Sequence, residues 1–181
     1  MNVLVAVASK HGATQGIARY IAETLRAAGH QAETRLARSV PDVAGYDAVV
    51  VGGATYLGHW LNEATKFVER NAAALRSRPV WLFSSGPLGA AETDVDGRDL
   101  SATAAPAEIA DLAEAVGAVG HRVFHGALDP ARLGFRDRVI RAMPAGKGLL
   151  PEGDFRDWPE IEAWAATIAS TLAGQPPRER P

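Results

Sequence analysis

The chain has 181 residues, 47% of them hydrophobic, a formal net charge of −2 at pH 7 and no cysteine. That length is one domain with a sizeable core, and the near-neutral balance argues neither for nucleic acid nor for an anionic membrane. The missing cysteine excludes disulfides, thiolate metal sites and cysteine nucleophiles, and fits a cytoplasmic location.

The first apolar run, 3–8, predicts a short buried strand. A helix is expected over 14–28, with Ile17, Ile21, Leu25 and Ala28 on one face and Gly29 as its stop. Residues 32–36 alternate and read as a second, less buried strand, followed by a loop at 41–47. The apolar run 48–53 is a third strand. A loop at 54–60 leads into a helix reaching about Leu75, with Phe67, Val68 and Leu75 inward. The next buried strand is 79–85. A long polar connection spans 86–106, a length usually tied to function or mobility. A helix at 108–116 and a last strand at 122–128 follow, then an extended insertion at about 129–155. The final helix opens at Asp157-Trp158-Pro159-Glu160, a capping-box-like start, and runs to Leu172. The tail 174–181, rich in proline and arginine, reads as disordered, leaving 1–173 as the domain.

Buried strands separated by helices predict an α/β three-layer sandwich around a five-stranded parallel sheet. With right-handed crossovers the expected order is 2-1-3-4-5. Ligands of such sheets bind beyond the carboxyl ends of the strands, where the order reverses. That crevice would be built from 9–14, 54–60 and 84–89.

The turn Ser9-Lys10-His11-Gly12-Ala13-Thr14 suits an anion. It joins a strand to a helix, whose first N–H groups lack intrahelical partners and carry partial positive charge. Ser9 and Thr14 offer hydroxyls, Lys10 and His11 can add charge, and Gly12 lets the backbone turn and approach closely. The same turn also reads as an ordinary strand-to-helix connection whose small residues cap the helix. There is no G-x-x-x-x-G-K-[ST] and no G-x-G-x-x-G, so the loop suits one terminal phosphate rather than a triphosphate or a pyrophosphate. The five histidines include no H-E-x-x-H, which argues against a zinc site. No apolar run reaches the roughly 18 residues of a membrane-spanning helix, and no basic leader precedes the first strand.

These three loops resemble those of the flavodoxin-like FMN-binding family. Family members usually show T-x-T-G-x-T after strand one. Here the first hydroxyl, the glycine and the last threonine are kept, and His11 replaces the middle hydroxyl. The resemblance extends to Ala54-Thr55-Tyr56-Leu57-Gly58-His59 and to Ser85-Gly86-Pro87-Leu88-Gly89, after strands three and four. The Gly58-His59 step, Gly126-Ala127-Leu128 and Asp157-Trp158 are similar to the branch containing the menaquinone-dependent protoporphyrinogen oxidase.

The resemblance implies FMN, with the phosphate on 9–14, the flavin beside Tyr56 and Gly58, and its pyrimidine edge by 85–89. It implies an oxidoreductase or electron-transfer role toward a redox partner protein or a quinone- or porphyrin-type small molecule. Two alternatives stand beside it. A flavodoxin-like interaction domain that has lost FMN would share these features. A receiver-type signalling module shares the sheet order, but it needs an aspartate where Gly52-Gly53-Ala54-Thr55 stands.

Individual residues also have plainer readings. Tyr56 can pack on the sheet edge, Gly58 can serve a plain turn, and His59 can be solvated rather than a proton source. Trp60 reads as a wall or core residue. The segment 132–143 places Phe135, Val139, Ile140 and Met143 at near-helical spacing among Arg132, Arg136, Arg138 and Arg141. It suits peripheral contact with the inner face of a membrane or with an acidic partner, or simply packing against the domain. A homodimer stays open.

Overall fold

The computed structural model describes residues 1–86, 105–132, 139 and 152–174. In chain order the elements are β1 (Asn2–Ala8), α1 (Ala13–Ala27), β2 (Gln31–Leu36), β3 (Ala48–Tyr56), β4 (His59–Trp60), α2 (Asn62–Arg76), β5 (Val80–Ser85), α3 (Ile109–Val116), β6 (Gly120–Phe124), β7 (Ala127–Leu128), β8 (Gly153–Asp154) and α4 (Trp158–Ala173). Five strands pair in parallel in the order β2-β1-β3-β5-β6. Counted among the parallel strands alone, this is 2-1-3-4-5, as the alternation of apolar runs predicts. The structure adds β4, a short antiparallel partner of β3.

Strands β1, β3 and β5 bury both faces, which is why they read as unbroken Val/Ala/Leu runs rather than alternating ones. On one face, Val3, Val5, Val7, Val50 and Phe83 meet Ile17, Ile21 and Leu25 of α1 and Ile161, Ile168 and Leu172 of α4. On the other, Leu4, Val49, Val51 and Leu82 meet Phe67, Val68 and Leu75 of α2 and Leu112 and Val116 of α3. α4 starts cleanly because the Asp157 carboxylate accepts a hydrogen bond from Glu160 N at 2.9 Å, and a proline sits in the first turn.

Gly52 and Gly53 make the middle of β3 narrow. A Cβ on Gly52 would lie 2.0 Å from the Phe83 ring, and one on Gly53 would lie 2.9 Å from the Trp60 ring. One aromatic ring therefore presses on each face of the sheet beside the crevice.

Three expectations need correction. β3 continues to Tyr56, so 54–56 belong to a strand rather than a loop. Trp60 sits in β4. The strand expected over 122–128 is divided: β6 ends at Phe124, and 127–128 leave the main sheet to pair antiparallel with β8. The physical cause is a change of partner, since Gly126 O accepts from Phe155 N at 3.1 Å instead of continuing the ladder. The return segment is then tied to α1. Arg156 pairs with Asp154, lies 4.4 Å from the Trp158 ring centroid and reaches Ala13 O at 3.4 Å. Most of 86–106 and of 132–143 lies outside the described residues, although Val139 is 44% exposed. The tail beyond Gly174 also lies outside them.

Candidate functional site

The carboxyl ends of β1, β3 and β5 lie side by side, with Ala8 level with Gly53, and Ala54 level with Ser85. This register brings Ser9, Lys10, His11, Gly12, Ala13 and Thr14 to the same edge as Ala54, Thr55, Tyr56, Leu57, Gly58 and His59, and as Ser85 and Gly86. Pro87, Leu88 and Gly89 lie outside the described residues.

The start of α1 offers donors of the kind an anion accepts from. Gly12 takes the N-cap position at φ 90° and ψ −12°, a left-handed conformation that side chains disfavour. Its N–H is bound by Ser9 Oγ at 3.0 Å, which fixes the turn. The first intrahelical bond is Gly16 N to Gly12 O at 3.0 Å. The N–H groups of Ala13, Thr14 and Gln15 precede it, no side chain among the described residues caps them, and no acidic residue stands in the first turn. Thr14 is 2% exposed. Its small β-branched side chain seals the turn against the core.

Loops one and three touch. Lys10 Nζ stands 5.1 Å from the centre of the Tyr56 ring, and the His11 ring meets Tyr56 edge-on at 6.4 Å. A flat ligand stacking on Tyr56 therefore uses the face away from Lys10 or displaces that flexible side chain.

Between Tyr56 and His59 the chain reverses in a two-residue hairpin. Leu57 (φ 51°) and Gly58 (φ 78°) both have positive φ, as the tight primed turns require. Glycine suits that geometry and leucine does not, and the Leu57 side chain is 99% exposed. Strain of this kind persists only where surrounding contacts impose it. Here they are Ala107 N to Gly58 O at 2.9 Å, Trp60 N to Glu108 Oε1 at 2.8 Å, and Trp60 Nε1 to Ser84 Oγ at 2.8 Å.

Sequence reasoning missed Glu108 and His121. Glu108 accepts from Trp60 N with one oxygen and bonds His59 Nδ1 at 3.1 Å with the other. Burial pushes its carboxyl up, but hydrogen bonds from its own backbone, from Trp60 N and from His59 outweigh this, and the group ends below the usual carboxylate range. Nothing local in the sequence marks it, because its partners lie almost fifty positions away. His121 has a weak signal: it belongs to β6, which begins at Gly120 rather than Arg122. Its Nε2 lies 2.8 Å from Ser84 Oγ.

Burial pushes His121 down from 6.5 to about 4, so it is neutral at pH 7. The unfolded chain takes up this proton near pH 6.5, while the folded chain resists until about 4. Stability is therefore expected to fall as pH falls through that window, by about 2 kcal/mol after allowance for solvent screening. His121→Gln should flatten this part of the profile in urea titrations at a series of pH values. An unchanged slope would assign the acid sensitivity to other groups.

At the strand ends, Thr55 Oγ1 and His125 Nδ1 are buried and have no hydrogen-bond partner among the described residues. They follow directly on the paired row Ala54, Ser85 and Phe124, so they flank Gly86 on either side. Two orphaned polar atoms on one row, each costing about 1–3 kcal/mol unpaired, suit a ligand with a polar edge.

A family model described as a flavodoxin domain matches residues 4–146. Protoporphyrinogen IX dehydrogenase [quinone] of Escherichia coli strain K12 is 31% identical over 86 residues, covering 46% of this chain and 48% of that protein. The chain thus matches about half the length of that curated relative. Oxidised flavodoxin 2 from Bacillus cereus superposes with a TM-score of 0.60 at 18% identity, over 94% of this chain and 99% of that one. The rubredoxin oxygen:oxidoreductase of Desulfovibrio gigas gives 0.61 at 14% identity, over 95% of this chain but 36% of that larger one. At these identities the solved structures speak for the fold.

Proposed function

Since the chain belongs to the flavodoxin domain family, we propose that it is an FMN-dependent oxidoreductase or electron-transfer protein that works with a quinone- or porphyrin-type small molecule or a redox partner protein. The observation that carries this reading is the uncapped start of α1, with Gly12 left-handed and three N–H groups aimed at the crevice end of β1. The residues present fit the cofactor. Ser9, Gly12, Ala13 and Thr14 would hold its phosphate. Lys10 and His11 border that site, and Ala54, Thr55, Tyr56, Leu57, Gly58 and His59 would flank the ring. Ser85 and Gly86, with Pro87, Leu88 and Gly89 beyond them, would meet its polar edge.

When bound, FMN supplies reversible uptake of one or two electrons. The chain supplies orientation and exclusion of water. The hairpin pinned by Ala107 and Glu108 fixes one wall, and the Trp60 ring closes the sheet beneath it. The name of the Escherichia coli relative favours a quinone as one substrate. No helix among the described residues is long and apolar enough to cross a membrane. A cytoplasmic place, with contact at the inner membrane face through 132–143, agrees with this reading.

Titration of the purified chain with FMN and riboflavin tests the proposal. FMN should bind about 100-fold more tightly, since hydrogen bonds to a charged group contribute about 1.5–3 kcal/mol each. Equal affinities would remove the phosphate site. No binding of either would favour a flavodoxin-domain interaction module.

A further inference from the structure

The geometry points to His59 and Glu108 as a proton-transfer dyad for the redox substrate, with His59 Nε2 as the accepting atom and Glu108 as its positioning residue. This deepens the flavin reading and rests on it.

Glu108 is held in place before it meets His59. It stands immediately before α3, and its Oε1 accepts from Trp60 N at 2.8 Å. Its Oε2 lies 3.1 Å from His59 Nδ1. The carboxyl is held below its ordinary range, so it is ionised at neutral pH and can only accept. A neutral imidazole facing it must carry its proton on Nδ1. The lone pair then sits on Nε2, the other end of a ring that is 68% exposed. A carboxylate that fixes tautomer and direction in this way makes an imidazole a competent base.

A purely structural role explains the pair poorly. The hairpin is already held by Ala107 N to Gly58 O, Trp60 N to Glu108, and Trp60 Nε1 to Ser84. Orienting an exposed imidazole adds little to that anchoring and costs side-chain entropy. The dyad also borders an open cleft of about 470 Å³ lined by His59, Trp60, Asn62, Thr65, Ala107 and Glu108. Leu57, two residues away, offers an exposed apolar side chain held at a strained position. A flat, apolar donor with an ionisable edge suits this combination of an apolar tip and a directed base.

The substrate class is a reduced, planar, conjugated donor carrying O–H or N–H groups. In the step, one such bond breaks and its proton passes to His59 Nε2. The imidazolium is stabilised by Glu108. FMN, when bound, would supply the acceptor for the donor's second hydrogen and its electron pair. The donor thus loses two electrons and two hydrogens. His59 then returns its proton to water through its exposed edge.

The test compares wild type, His59→Asn and Glu108→Gln. Flavin bleaching is followed in a single turnover with a soluble naphthohydroquinone, and separately with dithionite, which needs no base. With the hydroquinone the rate should fall about 100-fold or more for His59→Asn and about tenfold for Glu108→Gln. Both reactions are run with FMN saturating, so that a change of affinity at His59, which flanks the ring, does not enter, and the dithionite rates should then stay at wild-type levels. Nitrogen NMR of the chain without FMN should show His59 protonated on Nδ1 in the wild type and as a tautomer mixture in Glu108→Gln.

A His59→Asn protein that keeps its flavin and bleaches at the wild-type rate overturns the dyad. Loss of flavin in Glu108→Gln makes the pair structural and overturns it too. So does a wild type that binds FMN but ignores the hydroquinone, or one whose His59 shows no tautomer preference. Failure of the wild type to bind FMN is a separate result, and it overturns the flavin reading on which the dyad depends.

Discussion

Replacing Trp60 with alanine is expected to cost about 3–5 kcal/mol, the range for removing a large buried aromatic ring. Trp60 is 4% exposed and lies so close over Gly53 that no Cβ fits beneath it. Collapse into the space is limited, because Gly53 has no side chain and the β3 backbone is fixed by pairing on both edges. The indole N–H also anchors to Ser84 Oγ, which in turn meets His121. Alanine therefore opens a cavity and removes one member of a buried polar chain. Urea unfolding should show a lower midpoint with an unchanged slope. Trp60→Phe keeps most of the volume and should cost about 1–2 kcal/mol, chiefly the lost hydrogen bond. A loss below about 1 kcal/mol for the alanine variant would mean that the ring is not a wedge.

Gly12→Val is expected to weaken FMN binding about 100-fold, the equivalent of losing one or two hydrogen bonds to a charged group. The cause is conformational. At φ 90° a β-branched residue carries about 1–3 kcal/mol of strain. The chain relieves it by rotating φ to negative values, which turns the following N–H groups away from the crevice. The body of the domain should remain folded, since Gly12 lies outside both cores. Riboflavin provides the control. It lacks the phosphate, so its affinity should change little. Equal losses for FMN and riboflavin would show general damage to the loop rather than loss of the phosphate cradle.

The parts of the fold legible in the sequence are those governed by local patterning. The runs ending at Ala8, Gly53 and Ser85 mark parallel strands because burial on both faces leaves no polar alternation. Ser9–Thr14 is legible as a turn because a hydroxyl, a glycine and a threonine stand between a strand and a helix. The hairpin was not legible. A leucine at positive φ is no turn signal, and Leu57 adopts it only because Gly58, Trp60 and Glu108 are held from outside. The end of β6 was missed for a similar reason. Nothing at His125-Gly126 forbids further strand, and only Phe155, arriving from far along the chain, claims the Gly126 carbonyl. Glu108 belongs to the same class of feature, visible only when distant segments meet. Half of the dyad, His59, stood in the sequence. Its orienting partner did not.

The pairing of β7 with β8 sets the departure and the return of the intervening chain side by side, two residue pairs apart from the main sheet. In polymer terms, 129–152 forms a closed excursion whose ends the body itself clamps, with Asp154, Arg156 and Trp158 locking the return onto α1. The entropy of closing such an excursion grows only with the logarithm of its length. The clamp leaves β6 at its carboxyl end, the edge on which the crevice lies, and Arg156 ties it to Ala13 at the start of α1, so it frames the crevice that the same strands open onto.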